Sequence, residues 1–111
     1  MKKSLLLIVC VIAGAIAIGT PLLRAVLADK GADIKIDNFS FTPSTITVAA
    51  GTQVHWTNGD DIPHTVVSED KSFKSKALDT NDQFSYTFTK PGTYNYFCSI
   101  HPKMTATVVV K

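Results

Sequence analysis

Thr93-Tyr94-Asn95-Tyr96-Phe97-Cys98-Ser99-Ile100-His101-Pro102-Lys103-Met104-Thr105-Ala106-Thr107-Val108-Val109-Val110 is the most informative stretch of this 111-residue chain. Its two ends are rich in aromatic and β-branched residues, the types that suit a pleated, half-buried strand. Strands are therefore expected over 93–98 and 105–110, joined by a short loop. Cys98, His101 and Met104 stand three residues apart, so three donor side chains fall within seven residues. Thiolate, imidazole and thioether at that spacing converge only where a segment curls around a point, as a loop capping two strands can.

Working outward, the hydrophobic period remains two. Ile34/Ile36, Ile46/Val48, Val54/Trp56 and Phe84/Tyr86/Phe88 each recur at alternate positions, the mark of half-buried strands. Turn-forming clusters separate them: Thr42-Pro43-Ser44, Ala50-Gly51-Thr52, Asn58-Gly59-Asp60 and Lys90-Pro91-Gly92. Further strands are expected near 33–37, 45–49, 53–58, 64–68 and 83–89, with a looser connection across 69–82. No stretch carries a helical period. Seven or eight short strands imply an all-β sandwich.

Residues 1–28 read differently. A positive start at Lys2-Lys3, an apolar run from Leu5 to Gly19 and Val26-Leu27-Ala28 before Asp29 form a secretory signal pattern. If retained, the uncharged run from Ser4 to Leu23 would instead serve as a membrane anchor. Either way, residues 29–111 are expected to be one exported domain, periplasmic or otherwise secreted. The formal charge of +2 includes Lys2, Lys3 and Arg24. Without them the domain is slightly acidic, which excludes a basic nucleic-acid footprint. Cys10 lies in the leader, so Cys98 is left without an internal disulfide partner. A lone thiol in an oxidising compartment pairs with another chain, oxidises, lies buried or holds a metal.

A fourth donor is His64, in Asp61-Ile62-Pro63-His64-Thr65-Val66, 34 residues before Cys98. Loops of a sandwich cluster at its ends, so this histidine can meet the Cys98 loop. Two imidazoles, one thiolate and a weak axial thioether are the donor set of a blue-copper electron-transfer site. Bound in this way, Cys98 is also poorly available for disulfide exchange.

Beyond the ligand loop, Asn38-Phe39-Ser40-Phe41-Thr42-Pro43, Gly51 before Val54 and Trp56, and Pro91-Gly92-Thr93-Tyr94 before Cys98 follow in order. On these motifs the chain, from about residue 33 to 111, resembles the cupredoxins, the blue-copper family that includes plastocyanin, pseudoazurin and amicyanin. The short Cys98–Met104 loop and the Pro63-His64 pair are most like those of amicyanin. The resemblance implies a Greek-key sandwich holding one type 1 copper, with His64, Cys98 and His101 as equatorial ligands and Met104 as the axial one. It also implies that His101 is the solvent-edge ligand, rimmed by Ile62, Pro63, Ile100 and Pro102, where a redox donor and acceptor dock transiently on a monomer. The main-chain N–H of Thr65 would donate to the Cys98 sulfur. Where the family often has Asn, this chain has Thr65, so the side-chain tie between the two ligand loops is either weakened or made by the Thr hydroxyl.

Other residues have plainer readings. His55, between Val54 and Trp56, points to the opposite face from both and is expected to be an exposed strand histidine. Trp56, Phe39, Phe41, Phe84, Phe88 and Tyr94 are expected in the core. Of Tyr96 and Phe97, one must face away from it. Lys71, Lys74 and Lys76 form a charged, solvated segment that could steer an acidic partner. The function implied is that of an electron carrier without enzymatic chemistry. A copper-holding or copper-delivery protein with the same ligands is the alternative, and a metal-free binding sandwich is a third reading.

Overall fold

The computed structural model describes residues 31–111, in which eight strands follow in chain order. They are β1 (Ala32–Asp37), β2 (Ser40–Thr42), β3 (Thr45–Val48), β4 (Thr52–Asn58), β5 (Val67–Ser68), β6 (Gln83–Phe88), β7 (Gly92–Phe97) and β8 (Thr105–Val110). The signal and anchor readings of residues 1–28 lie outside the described residues. Two four-stranded sheets form, in the orders β2-β1-β4-β6 and β3-β8-β7-β5. Each is mixed, since β1 pairs parallel with β4 and β3 parallel with β8 while the other neighbours run antiparallel. The all-β sandwich expected from the period-two pattern is the architecture observed.

Alternation builds the interior. Thr52, Val54, Trp56 and Asn58 of β4 are buried, as are Ile34 and Ile36 of β1 and Ala106, Val108 and Val110 of β8. Trp56 sits at the centre, with Phe73, Phe84, Phe88 and Tyr96 at ring-centroid distances of 5.7, 5.6, 6.4 and 5.5 Å. Burying rings of this size, at about 150–250 Å² each, supplies much of what a small sandwich has to offset its chain entropy. Tyr96 faces inward beside Cys98, and Phe97 is the one turned away and half-buried.

Five expectations need correction. The chain across 69–82 is not a loose connection, because Phe73, Ser75 and Leu78 are buried. Its backbone runs beside the His64–Ser68 segment through Ser75 N–H to Val66, Ser68 N–H to Phe73 and reciprocal bonds between His64 and Leu78. That irregular pairing also shortens the strand expected over 64–68 to Val67–Ser68. Phe39 is not core: it is 51% exposed. Asn38 and Phe39 form a two-residue hairpin loop between Asp37 and Ser40, with φ of 52° and 57°, and alternation then turns Phe41 inward. Positive φ at both loop residues is what a tight hairpin demands, although it costs a bulky side chain about 1–2 kcal/mol. Phe84 and Tyr94 pack only partly against the core, and the Tyr94 hydroxyl donates to the Lys90 carbonyl at 2.7 Å. His55 is half-buried rather than exposed, with Nδ1 2.7 Å from Ser85 Oγ on the neighbouring strand.

Candidate metal centre

The site forms where the β7–β8 loop meets the segment after β4. The loop is fixed by its own backbone: Cys98 N–H donates to the Met104 carbonyl at 3.0 Å and Met104 N–H to the His101 carbonyl at 2.8 Å. These bonds curl residues 98–104 around one point. On the other side, His64 is held by its paired backbone bonds to Leu78. Asn58, fully buried, secures the approach to it, with Nδ2 donating to the carbonyls of Ile62 and Leu78 and Oδ1 accepting from Asp60 N–H.

The donor atoms of His64, Cys98 and His101 all lie within 4.8 Å of one another. Cys98 Sγ is 3.7 Å from His64 Nδ1 and 3.8 Å from His101 Nδ1. Those separations are long for hydrogen bonds. An ion bonded to nitrogen at about 2.0 Å and to thiolate at about 2.3 Å, with an angle near 120°, would hold the two atoms about 3.7 Å apart. Cys98 and His64 are fully buried and Met104 nearly so, while His101 is half-buried at the edge. His55 has no part in this group.

Orientation comes from outside the donor set. Asp60 Oδ2 lies 2.8 Å from His64 Nε2, so the carboxylate accepts the Nε2 proton and leaves the Nδ1 lone pair facing Cys98. The same carboxylate accepts Asn38 N–H at 2.6 Å and Phe39 N–H at 3.0 Å. Although its partial burial works the other way, these donors hold the Asp60 carboxyl below the usual carboxylate range. Burial likewise opposes ionisation of Cys98, but the donors around the sulfur, Thr65 N–H first among them, outweigh it and bring the thiol down to about 6.

The expected main-chain contact is present: Thr65 N–H donates to Cys98 Sγ at 3.4 Å. The side-chain tie is made by the Thr hydroxyl, since Thr65 Oγ1 accepts Ser99 N–H at 2.7 Å and lies 2.8 Å from Ser99 Oγ. Asn58 and Asp60 were not singled out as site residues in the sequence. Their only signal was a turn-forming Asn-Gly-Asp run shortly before a histidine.

Fold and site together define a small β-sandwich protein with a mononuclear thiolate–imidazole metal centre. The donor set is soft, with one thiolate and a buried thioether beside two imidazoles, which is the chemistry of copper. The chain belongs to the cupredoxin-like domain family, which matches residues 6–110. It is 33% identical over 93 residues to amicyanin from Paracoccus versutus, covering 76% of this chain and 70% of that protein. The solved structure of a purple cupredoxin from Nitrosopumilus maritimus superposes with a TM-score of 0.69 at 34% identity, covering 72% of this chain and 99% of the other. A Cu-containing nitrite reductase from Thermus scotoductus superposes at 0.70 with 29% identity, over 74% of this chain but 22% of the enzyme. Within this family, His64, Cys98, His101 and Met104 form a type 1 copper-like site, and copper is its cofactor.

Proposed function

We propose that the protein carries single electrons between redox partners, with His64, Cys98 and His101 as equatorial copper ligands and Met104 as the axial one. The observation that carries this reading is the convergence of three donor atoms from two loops, with both imidazoles 3.7–3.8 Å from the thiolate sulfur. Bound copper supplies a one-electron Cu(II)/Cu(I) couple. The chain's part is to hold its donors still. Cys98 is tied by Thr65 N–H and the Met104 carbonyl, and His64 by Asp60 and Leu78. A donor set held this firmly has little to rearrange when one electron arrives or leaves. Three strong ligands with a buried fourth leave no open position for a substrate, so the role is that of a carrier and not a catalyst.

Exchange of electrons takes place at the His101 edge. Ile100 there is 45% exposed, Pro63 and Pro102 are exposed and Ile62 is half-buried, giving an apolar rim on which donor and acceptor dock in turn. Lys71, Lys74 and Lys76 stand in solvent and favour an acidic partner. Residues 1–28 act as the export signal for the domain that follows.

Loading the chain with Cu(II) should produce an intense blue thiolate-to-copper band that ascorbate bleaches and that Cys98→Ser lacks. Rapid electron self-exchange would accompany it. A folded β protein without that band refutes the ligand assignment. Copper handed to an apo-acceptor without any redox change would make the protein a delivery agent instead.

A further inference from the structure

The two imidazoles of the site are anchored unequally. His64 gives its outer nitrogen to Asp60. For His101, the one side-chain polar contact described is to Cys98 Sγ, at 3.8 Å. Imidazole ligands usually have their second nitrogen fixed by a carboxylate, a carbonyl or water, and losing that partner typically weakens metal binding. Among the described residues, the half-buried, loop-borne histidine thus has no carboxylate partner like that of its buried counterpart.

What stands against it is an aromatic ring. Phe39 lies edge-on to His101, with centroids 5.1 Å apart and planes at 89°, and edge-on to His64 at 5.6 Å and 87°. The imidazoles are themselves 5.0 Å apart. Phe39 reaches this place through a left-handed backbone at φ 57°, a conformation a glycine would adopt without strain. The turn is strapped in that shape by Asp60, whose two oxygens take the N–H groups of Asn38 and Phe39. One carboxylate therefore fixes His64 directly and fixes Phe39 through the turn.

We infer that Phe39 is a positioning residue for His101: its ring, held by the Asp60-strapped turn, blocks the imidazole from swinging out of the site and gives it by shape the support that His64 takes from a carboxylate. Through Asp60 the two histidine ligands, which come from loops far apart in the chain, share one support. The inference rests on the copper-ligand reading of His64 and His101. It assigns no ligand role to Phe39, whose half-exposed ring supplies only shape and edge-to-face contact.

The test compares Cu(I) release from the reduced, copper-loaded full chain to a chromophoric Cu(I) chelator, for the unsubstituted protein and for Phe39→Gly, Phe39→Ala and Phe39→Leu. Outer-shell changes typically alter metal affinity 10–100-fold, so release should quicken about tenfold in the Gly and Ala variants, with Leu restoring most of the slow rate. The unfolding midpoint of the metal-free chain provides the second readout. Phe39→Gly relieves the turn and should leave that midpoint unchanged or raised while copper leaves faster. A merely structural role would lower the midpoint as release quickens, and that result overturns the inference. It is also overturned if all variants release copper at the unsubstituted rate. If the unsubstituted protein itself shows no thiolate-to-copper band, the ligand reading fails and takes this inference with it; a normal band with unchanged release rates removes the Phe39 role alone.

Discussion

Replacing Thr65 with Val removes one hydroxyl and nearly nothing else, because the two side chains have almost the same shape. In the native site Thr65 Oγ1 accepts Ser99 N–H at 2.7 Å and shares a 2.8 Å hydrogen bond with Ser99 Oγ. Thr65 is buried and Ser99 exposed, so water replaces the Oγ partner more readily than it reaches the amide. An amide left without its acceptor costs about 1–3 kcal/mol, and the solvent side of Ser99 places this one in the lower half of that range. For a domain of this size, each 1 kcal/mol moves the unfolding midpoint by about 4–8 °C. Thermal unfolding of the metal-free chain, followed by circular dichroism, should thus show Thr65→Val melting about 5–15 °C lower, with Thr65→Ser close to the parent. The blue band of the copper-loaded variant should persist, because Thr65 N–H to Cys98 Sγ is a main-chain contact. A Val variant that melts with the parent and holds copper as tightly would refute the claim that this hydroxyl joins the two ligand loops.

Asp60→Asn should destabilise the metal-free chain by about 1.5–3 kcal/mol in urea unfolding, the range for hydrogen bonds to a charged acceptor, because the carboxylate accepts from Asn38, Phe39 and His64. The native carboxyl is held below its ordinary 3.8. Its stabilisation is therefore complete above that value and is lost as pH falls through the lower folded one, so Asp60→Asn should flatten the acid limb of the stability profile. Cys98, lowered from 9.0 to about 6, follows the same sign. In the metal-free chain, its advantage over Cys98→Ser should be full above pH 9 and fade as pH falls through about 6, with a ceiling on the order of 4 kcal/mol. Thiolate ultraviolet absorbance with a midpoint near the ordinary value of 9 would contradict this.

Much of the architecture was legible because it rests on local alternation. Ile34/Ile36, Val54/Trp56 and Phe84/Tyr86/Phe88 read correctly as strands, since a sheet with one buried face writes a period of two into its sequence. The donor set was legible for a different reason: Cys98, His101 and Met104 are chemically distinctive and close together. Reading failed where conformation depends on a distant partner. The turn at Asn38 and Phe39 is set by a carboxylate more than 20 residues away, so a phenylalanine placed by composition in the core stands at the site instead. Phe73, Ser75 and Leu78 were read as part of a loose connection because their pairing partners are the backbone atoms of His64, Val66 and Ser68. Asp60 and Asn58 act through single hydrogen bonds across a fold, and such bonds leave no periodicity to detect.

The sheet order also governs when the site can come into being. β8, last of the eight strands in chain order, lies inside its sheet between β3 and β7. β3 has no other neighbour in that sheet, and its pairing joins Thr45 to Thr107 and Val48 to Val110. Until residues 105–110 are in place, β3 and one side of β7 have no strand to pair with, and the ligand loop between β7 and β8 has only one of its two ends held. Contacts this distant in sequence make for slow assembly. The donor cluster thus depends on pairing between segments far apart in the chain, and a chain that has not yet made that pairing offers metal ions only scattered side chains.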